Sequence, residues 1–176
     1  MAISDIREAL QHNSGWFMSL LQGMPVGVVI TGPAGEVQVC NPAALHLLGV
    51  TEDQLIGTTS FDPAWNTIHE DRSPFLGRDH PIPRAIATRQ PVRNVVMGVY
   101  HIKIRDYVWF LINAEPQLAP DGTVSHVICC FTDITDCKRA EAIVTAWKNR
   151  YEAAISASGQ VLYDWNVTTK EVGLGR

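Results

Sequence analysis

The sequence predicts an α+β fold with an antiparallel sheet of five strands and short helices between the second and third strands. Two short apolar segments flank a Gly-Pro-Ala-Gly turn, which is typical of a β-hairpin. Three longer segments rich in Val, Ile, Tyr, Trp and Phe follow after a stretch of short helical patterns. Strands and helices do not alternate regularly, which favours an antiparallel sheet over a parallel one. The predicted strands cover residues 26–31, 36–40, 93–103, 107–117 and 123–132.

Composition restricts the class of protein. The chain has 176 residues, enough for one domain with flanking helices, and its formal charge of −4 provides no basic field that would attract nucleic acid. No apolar run reaches the roughly 18 residues of a membrane span. The N-terminus carries acidic residues and does not have the pattern of a secretion signal. We therefore expect a cytoplasmic protein without a membrane segment in this chain.

An amphipathic helix is predicted over residues 1–23, before the sheet. Its apolar stripe has helical spacing, and Pro25 ends it. The stripe consists of Ile6, Leu10, Phe17, Leu20 and Met24.

Three short helices are predicted between the second and third strands. Asn41 is a typical N-cap, followed by a proline at the first helical position, and Gly49 closes this helix. Thr51 and Gly57 bracket a second, single-turn helix. A third is predicted over residues 82–89, entered through a proline and followed by another.

A longer helix is predicted over residues 136–157, after the last strand. Its apolar residues are spaced four, three, four and three apart, as in a two-stranded coiled coil. They are Ala140, Val144, Trp147, Tyr151 and Ala154. Because an isolated amphipathic helix is marginally stable in water, we expect a parallel homodimer through the flanking helices. The predicted dimer seam comprises Leu10, Phe17, Leu20, Val144, Trp147 and Tyr151; the alternative is that each stripe packs on its own sheet.

The last segment, residues 158–176, is loosely similar to residues 17–37, with small residues, a strand, a turn and a strand. It is too short to bury a core of its own. We interpret it as the truncated start of a second copy of the first domain, within a longer tandem protein.

Several segments in order resemble one family. They are "NPAALHLLG" (41–49), "QLIGTT" (54–59), "HEDRSPF" (69–75), "DHPIPRAIATRQPV" (79–92), "WFLINAEPQ" (109–117) and "DIT" (133–135) followed by "KRAEA". From Met24 to Glu141 the chain resembles a PAS (Per-Arnt-Sim) sensor domain, which we place at residues 24–135. The resemblance implies a five-stranded antiparallel sheet covered on one face by short helices that enclose a pocket.

The resemblance also implies that Asp133, Ile134 and Thr135 join the last strand to a signalling helix. From the residues themselves, we expect the Thr135 hydroxyl to cap this helix and Asp136 to lie favourably in its first turn. Such a stiff connection would convert a small strand movement into a helix movement.

Motifs for other functions are incomplete. "HEDRSPF" resembles a histidine-kinase phosphoacceptor box, but the prolines around it prevent the long helix that such a box needs. Light-sensing LOV members of the family need Gly-x-Asn-Cys-Arg, and no cysteine lies between Cys40 and Cys129. No metal-ligand pair, phosphate loop or nucleophile with a partnered base is evident, so we expect no enzyme activity and no metal site in this chain.

Two cofactors remain as alternatives to no cofactor. Haem would need an axial ligand, for which His80 is the candidate, and FAD could stack on Trp65 and Trp109. We expect the protein to be colourless, because the predicted pocket face is apolar.

The pocket face is predicted from strand alternation. The side chains placed on it are Val96, Gly98, Tyr100, Phe110, Ile112, Ala114, Val127, Cys129 and Phe131. If a ligand binds, we expect a small, mostly apolar molecule oriented chiefly by Tyr100.

Taken together, these patterns predict a sensory and dimerisation module that transmits a signal to an output domain in the same chain. That output would be a histidine kinase or a cyclic-dinucleotide enzyme. The alternatives are an interaction module with a filled core and no ligand, or a redox or gas sensor with haem or FAD.

Overall fold

The computed structural model describes residues 15–60, 62, 65–158, 163–166 and 171–174. The chain divides into two compact units, Met1–Thr135 and Asp136–Arg176. Of the predicted seam, Leu10 lies outside the described residues, and Phe17 is described only by its backbone.

The first unit contains a six-stranded antiparallel sheet with the order β2-β1-β6-β5-β4-β3. All five predicted strands are confirmed. A strand of two residues, β3, was not predicted and pairs with the edge of β4. The strands are β1 Gly27–Thr31, β2 Val37–Cys40, β3 Thr67–Ile68, β4 Val92–His101, β5 Asp106–Leu118 and β6 Val124–Asp133.

Among its described residues, the first unit has four α-helices: α1 Gly15–Gly23, α2 Pro42–Leu48, α3 Glu52–Leu55 and α4 Pro81–Thr88. The predicted caps are confirmed at α2, where Asn41 accepts from the Ala44 N–H and Gly49 takes a left-handed conformation (φ 69°). At α3 the Gln54 side chain accepts from the Thr51 N–H at 3.0 Å. α2 packs on β1, and α4 packs on β4, β5 and β6, so the core lies between these helices and one face of the sheet.

Asn41 connects three elements near the start of the sheet. Its side chain is 3% exposed. The Oδ1 atom accepts from the N–H groups of Val28 and Ala44, both at 2.9 Å. The Nδ2 group donates to the carbonyls of Leu21 and Val26, at 3.0 and 2.9 Å. One amide thus satisfies backbone groups of α1, the segment before β1, β1 itself and α2.

A β-bulge in β4 changes which residues face the core. Val92 pairs with Ala114 and Val95 with Ile112, so β4 contains one residue more than β5 across this interval. Asn94 takes a left-handed conformation there (φ 57°), and its N–H donates to Asn113 Oδ1 at 2.9 Å. An extra residue reverses the alternation of every position after it.

The alternation in the sequence therefore placed the wrong residues of β4 on the core-facing side of the sheet. Val96, Gly98 and Tyr100 lie opposite Leu111, Trp109 and Tyr107, on the side of the sheet away from the helices. The inward residues are Met97 and Val99, which are buried in the core cluster.

The second unit contains most of helix α5, Thr135–Ser158, which confirms the long helix predicted there. A two-stranded antiparallel hairpin follows, formed by β7 Tyr163–Asn166 and β8 Glu171–Leu174. The interpretation of residues 158–176 as the start of a second domain copy stays a prediction. In the part of the chain that the structure describes, no helix has the length and apolar character needed to cross a membrane.

Replacing Asn41 should destabilise the first unit. Asn41→Ala removes the side-chain partner of the Val28 N–H and of two carbonyls, and leaves the Ala44 N–H only its bond to the Asn41 main-chain carbonyl at 3.1 Å. We expect the free energy of unfolding to fall by roughly 2–4 kcal/mol. Urea denaturation followed by circular dichroism measures this change. Asn149→Ala, on the exposed surface of α5, is the matched control and should change stability by less than about 0.5 kcal/mol. Equal effects of the two variants would contradict the role of Asn41.

Candidate functional site

A cavity of about 80 Å³ lies within the first unit, between the sheet and the helices. The sheet contributes an apolar wall: Val29, Val37, Met97, Val99, Phe110, Ile112, Cys129 and Phe131. Helix residues, the irregular segments between them and Thr67 of β3 close it; these residues are Leu48, Leu55, Thr58, Ser60, Trp65, Thr67, His80, Pro81 and Ile82. None of these lining side chains is an acid, a lysine or an arginine, so the cavity suits an uncharged occupant.

The structure brings four of the predicted pocket residues together at this cavity: Phe110, Ile112, Cys129 and Phe131. The rings of Phe110 and Phe131 meet edge to face, with centroids 5.3 Å apart. Ala114 and Val127 are buried in the same core cluster but do not line the cavity.

Three predicted pocket residues lie elsewhere. Val96, Gly98 and Tyr100 are on the other face of β4, where the Tyr100 ring packs edge to face against Tyr107, with centroids 5.5 Å apart. Sequence reasoning missed Met97 and Val99, and the polar pair Arg93-Asn94 inside an apolar strand was the available signal for the bulge. The lining residues from loops had no periodic pattern that could have indicated them.

Polar groups collect at one end of the cavity. His80 is 2% exposed, and its Nδ1 donates to the carbonyl of Ser60, since a carbonyl can only accept. Its Nε2 lies 2.8 Å from Thr67 Oγ1 and 3.2 Å from the Phe75 carbonyl. Burial lowers the pKa of His80 below its ordinary value, although the Ser60 and Phe75 carbonyls partly oppose this. The ring is therefore neutral at neutral pH, with Nδ1 carrying the hydrogen.

The other hydroxyls at this end differ in their bonding. Thr58 donates to the Leu55 carbonyl at 2.7 Å, and Thr67 is bonded to the Phe75 carbonyl at 3.0 Å. The Ser60 hydroxyl oxygen is buried and has no hydrogen-bond partner.

Neither candidate cofactor fits this cavity. Pockets for drug-sized ligands measure roughly 300–1,000 Å³, several times the volume found here. Both ring nitrogens of His80 face protein groups, so the predicted haem ligand has no nitrogen pointing free into the cavity. Trp109 lies beside Gly98 on the opposite face of the sheet, away from Trp65. Within the described residues, no group of three or more His, Cys, Asp or Glu could hold a metal ion.

The cavity thiol is not reactive. Burial, with a contribution from the neighbouring Cys130, raises the pKa of Cys129 to about 12. The thiol stays protonated at neutral pH and acts as a small apolar group.

A hydrogen-bonded junction connects β5 to the start of α5. The paired ladder of β5 and β6 ends at Phe110 and Asp133. Beyond it, the Ile134 N–H donates to the Trp109 carbonyl at 2.8 Å, and the Trp109 N–H donates to the Thr135 hydroxyl at 2.9 Å. The Thr135 N–H donates to the Asp133 carboxylate at 2.7 Å.

This geometry corrects the predicted role of the Thr135 hydroxyl. It accepts from strand β5, and its bond to Trp109 takes the place of the helix-capping bond we expected. Asp136 does lie in the first turn of α5, where it pairs with Arg139 at 3.4 Å.

Large apolar side chains are exposed on the surfaces predicted for dimerisation. Val144, Trp147 and Tyr151 are 68%, 70% and 60% exposed, and Leu20 is 48% exposed. Their exposure is compatible with a surface that another molecule covers.

Comparisons with known proteins agree with this architecture. A family profile described as the PAS fold matches residues 21–139. A curated relative, the probable diguanylate cyclase DgcE of Escherichia coli strain K12, is 22% identical over 170 residues, which are 92% of this chain. The chain spans only 14% of the length of that relative.

Solved structures show the same fold at low identity. An RNA-binding light-oxygen-voltage receptor superposes with a TM-score of 0.58 and 18% identity, over 82% of this chain and 40% of the receptor. The PAS domain of the fruit-fly ELK potassium channel gives a TM-score of 0.52 and 14% identity, over 77% of this chain and 98% of that domain.

The family profile covers more than half of the chain, from the end of α1 through the sheet to the first turn of α5. The antiparallel sheet and the enclosed cavity agree with the resemblance, and the short strand β3 is an addition to it. The chain belongs to the PAS-fold family.

Proposed function

We propose that this chain is a sensory module in which the state of the cavity controls helix α5 through the junction at Trp109. The observation that carries the proposal is that both main-chain polar groups of one residue, Trp109, bond to the start of α5. The N–H and the carbonyl of Trp109 both bond to the start of α5, and the next residue, Phe110, lines the cavity.

The path from cavity to helix is short and stiff. Phe110 is 1% exposed and packs on Phe131, so a molecule entering the cavity displaces rings anchored on β5 and β6. A shift of β5 by a fraction of an ångström changes the geometry of the two Trp109 hydrogen bonds, since such bonds weaken steeply away from their preferred distance and angle. Helix α5 then changes its orientation or the stability of its first turn.

A second candidate is an interaction module that binds no ligand and transmits strain between neighbouring domains. The small volume of the cavity, about 80 Å³, favours this alternative. It uses the same junction, and the two candidates differ in whether a small molecule occupies the cavity.

We propose that the output domain is a cyclic-dinucleotide enzyme, and that it lies with this chain in one longer cytoplasmic protein. Its support is the similarity to a diguanylate cyclase of which this chain spans a minor part. This relative favours the cyclic-dinucleotide enzyme over the histidine kinase as the output domain.

We also propose that a second copy of this chain covers the exposed seam of α5. Val144, Trp147 and Tyr151 follow the spacing of a two-stranded coiled coil and are more than half exposed in the single chain. A parallel dimer would bring the two α5 helices side by side, which is the arrangement through which a strand movement could reach paired output domains.

The junction can be tested with a double-mutant cycle in this chain. Ile112→Phe adds bulk to the cavity on β5, and Thr135→Val removes the acceptor of the Trp109 N–H. We expect Ile112→Phe to change amide hydrogen exchange in the first turns of α5 by about tenfold, a shift of ~1.4 kcal/mol in the opening free energy. In the Thr135→Val background the same substitution should change that exchange by less than about twofold.

Thr132→Val is the control for this cycle, because Thr132 is exposed on β6 close to the junction. In that background the effect of Ile112→Phe should persist. An effect of equal size with and without the Thr135 hydroxyl would show that the signal does not pass through the junction.

The proposed output can be tested in the intact natural protein with GTP as substrate. We expect formation of a cyclic dinucleotide, at a rate that Ile112→Phe changes by at least about threefold, or ~0.65 kcal/mol in the activation free energy. Thr135→Val should abolish that difference. Absence of a cyclic-dinucleotide product would exclude the proposed output.

The dimer can be tested by placing a charge in the seam. Val144→Glu sets two like charges against each other in an apolar interface, and we expect light scattering to show a dimer for the parent and mainly monomer for the variant. Asn149→Glu adds the same charge on the face of α5 away from the seam and should remain dimeric. A parent that is monomeric at tens of micromolar would refute the homodimer, and an unchanged Val144→Glu dimer would refute this seam.

A further inference from the structure

The His80 ring is part of the cavity wall and connects the segments that close the polar end of the cavity. Its Nδ1 donates to the Ser60 carbonyl, and its Nε2 lies 2.8 Å from the Thr67 hydroxyl and 3.2 Å from the Phe75 carbonyl. Ser60 comes after α3, Thr67 belongs to β3, and His80 itself precedes α4. One side chain therefore holds three segments together around the cavity.

This closed arrangement suits a neutral ring. His80 is 2% exposed, and Phe75 packs edge to face against it, with ring centroids 5.2 Å apart. A neutral imidazole has one N–H, which Nδ1 uses for Ser60, so Nε2 can accept from the Thr67 hydroxyl. A second proton, on Nε2, ends that acceptance and places a positive charge away from water. The Phe75 carbonyl can accept from the protonated Nε2 and offsets only part of this cost.

Neighbouring charges compensate the protonated ring weakly. The Asp79 carboxylate, adjacent in the chain, favours the charged ring, but its side chain is half exposed. His69, which follows β3, disfavours a charge on His80. Cys129 across the cavity is protonated and uncharged, and Arg84 of α4 is exposed.

Burial accordingly holds the pKa of His80 below about 6.5, the ordinary value of a histidine in water. An opening that brings the ring into water restores the ordinary pKa, so below that pH the open form binds more protons than the closed form. The closed form keeps its full stability above about pH 6.5 and loses stability as the pH falls from there toward the lowered pKa.

We propose that protonation of His80 opens the polar end of the cavity: Nε2 takes up a proton from the solvent, and the ring moves into water and releases Ser60 and Thr67. Acidification thereby gives access to the apolar interior of the cavity. The inference deepens the proposed sensory function, on which it rests, by naming the proton as a regulator of the same cavity.

Amide hydrogen exchange in the full chain measures this opening. The Phe75 N–H donates to the Thr67 carbonyl at 2.9 Å. The Arg84 N–H donates to the His80 carbonyl at 3.1 Å. After correction for intrinsic exchange, we expect the opening constants of these two amides to rise about three- to tenfold from about pH 7.5 to about pH 5.5. The Val50 N–H, at the end of α2, should change by less than about twofold.

His80→Asn separates protonation of this ring from other effects of pH. The asparagine amide can donate to the Ser60 carbonyl but does not take up a proton, so the two opening constants should vary with pH by less than about twofold. His69→Asn is the matched control, because it removes the neighbouring histidine and should keep the pH dependence of the parent.

Access to the cavity itself is measured at Cys129, which lines it. Methyl methanethiosulfonate converts the thiolate to a methyl disulfide and releases methanesulfinate, and fragmentation mass spectrometry identifies the modified cysteine. The rate at Cys129 is divided by the rate in His80→Asn at the same pH, which cancels the change in thiolate fraction. We expect this ratio to rise about three- to tenfold from about pH 7.5 to about pH 5.5.

A constant labelling ratio, unchanged opening constants in the parent, or a pH dependence that persists in His80→Asn would each overturn the inference. If His80→Asn does not fold, the parent still decides. Its His80 ring must titrate below about pH 6.5 by NMR, and the two amides must open more readily than those of β1 and β6. None of these measurements involves Trp109 or an output domain, so a successful double-mutant cycle with failed pH dependence would reject this inference alone.

Discussion

The side chain of Asn41 is the interaction on which the arrangement of the first unit depends. Its four hydrogen bonds place the end of α1, the start of β1 and the first turn of α2 around one buried amide. Each bond contributes on the order of 1 kcal/mol, but leaving the Val28 N–H and the Leu21 and Val26 carbonyls without this partner would cost considerably more. Because α2 then lies against β1, Leu48 at its end reaches the cavity, opposite the wall formed by the sheet.

The cavity and the output helix meet at one strand. β5 carries Phe110 and Ile112 on the cavity face, and the main-chain N–H and carbonyl of Trp109 bond to Thr135 and Ile134. A ligand need not touch α5 to affect it, since the strand that the ligand contacts is the strand that holds the helix. In the proposed sensor, a contiguous path leads from the cavity to α5 through a small number of hydrogen bonds. A single substitution can test each of these bonds.

The charge and volume of the cavity restrict the possible ligands more than membership of the family does. Members of one fold family bind very different molecules, so membership alone does not name a ligand. Here the neutral His80, the protonated Cys129 and the absence of acidic or basic lining side chains restrict the cavity to an uncharged occupant. Redox chemistry at Cys129 is unfavourable for the same reason, because burial suppresses the thiolate.

Local patterns in the sequence determined the elements of this protein. Alternating and β-branched residues specified the five predicted strands. Asn41, Gly49 and the Thr51–Gln54 pair specified helix ends, because these preferences act within a few residues. The same locality explains why the ordered motifs from residue 41 to residue 142 were enough to indicate the family.

Tertiary contacts decided the features on which function depends. The bulge at Asn94 determined which residues of β4 face the core. Asn94 bonds to Asn113, nineteen residues away, and no local rule predicts that partner. Local sequence alone predicted that the Thr135 hydroxyl caps the helix. In the folded chain the Trp109 N–H lies beyond the last pair of the β5–β6 ladder and donates to this hydroxyl instead. The cavity is formed by single side chains from strands, helices and loops, so its size and the unpaired Ser60 hydroxyl exist only when the chain is folded.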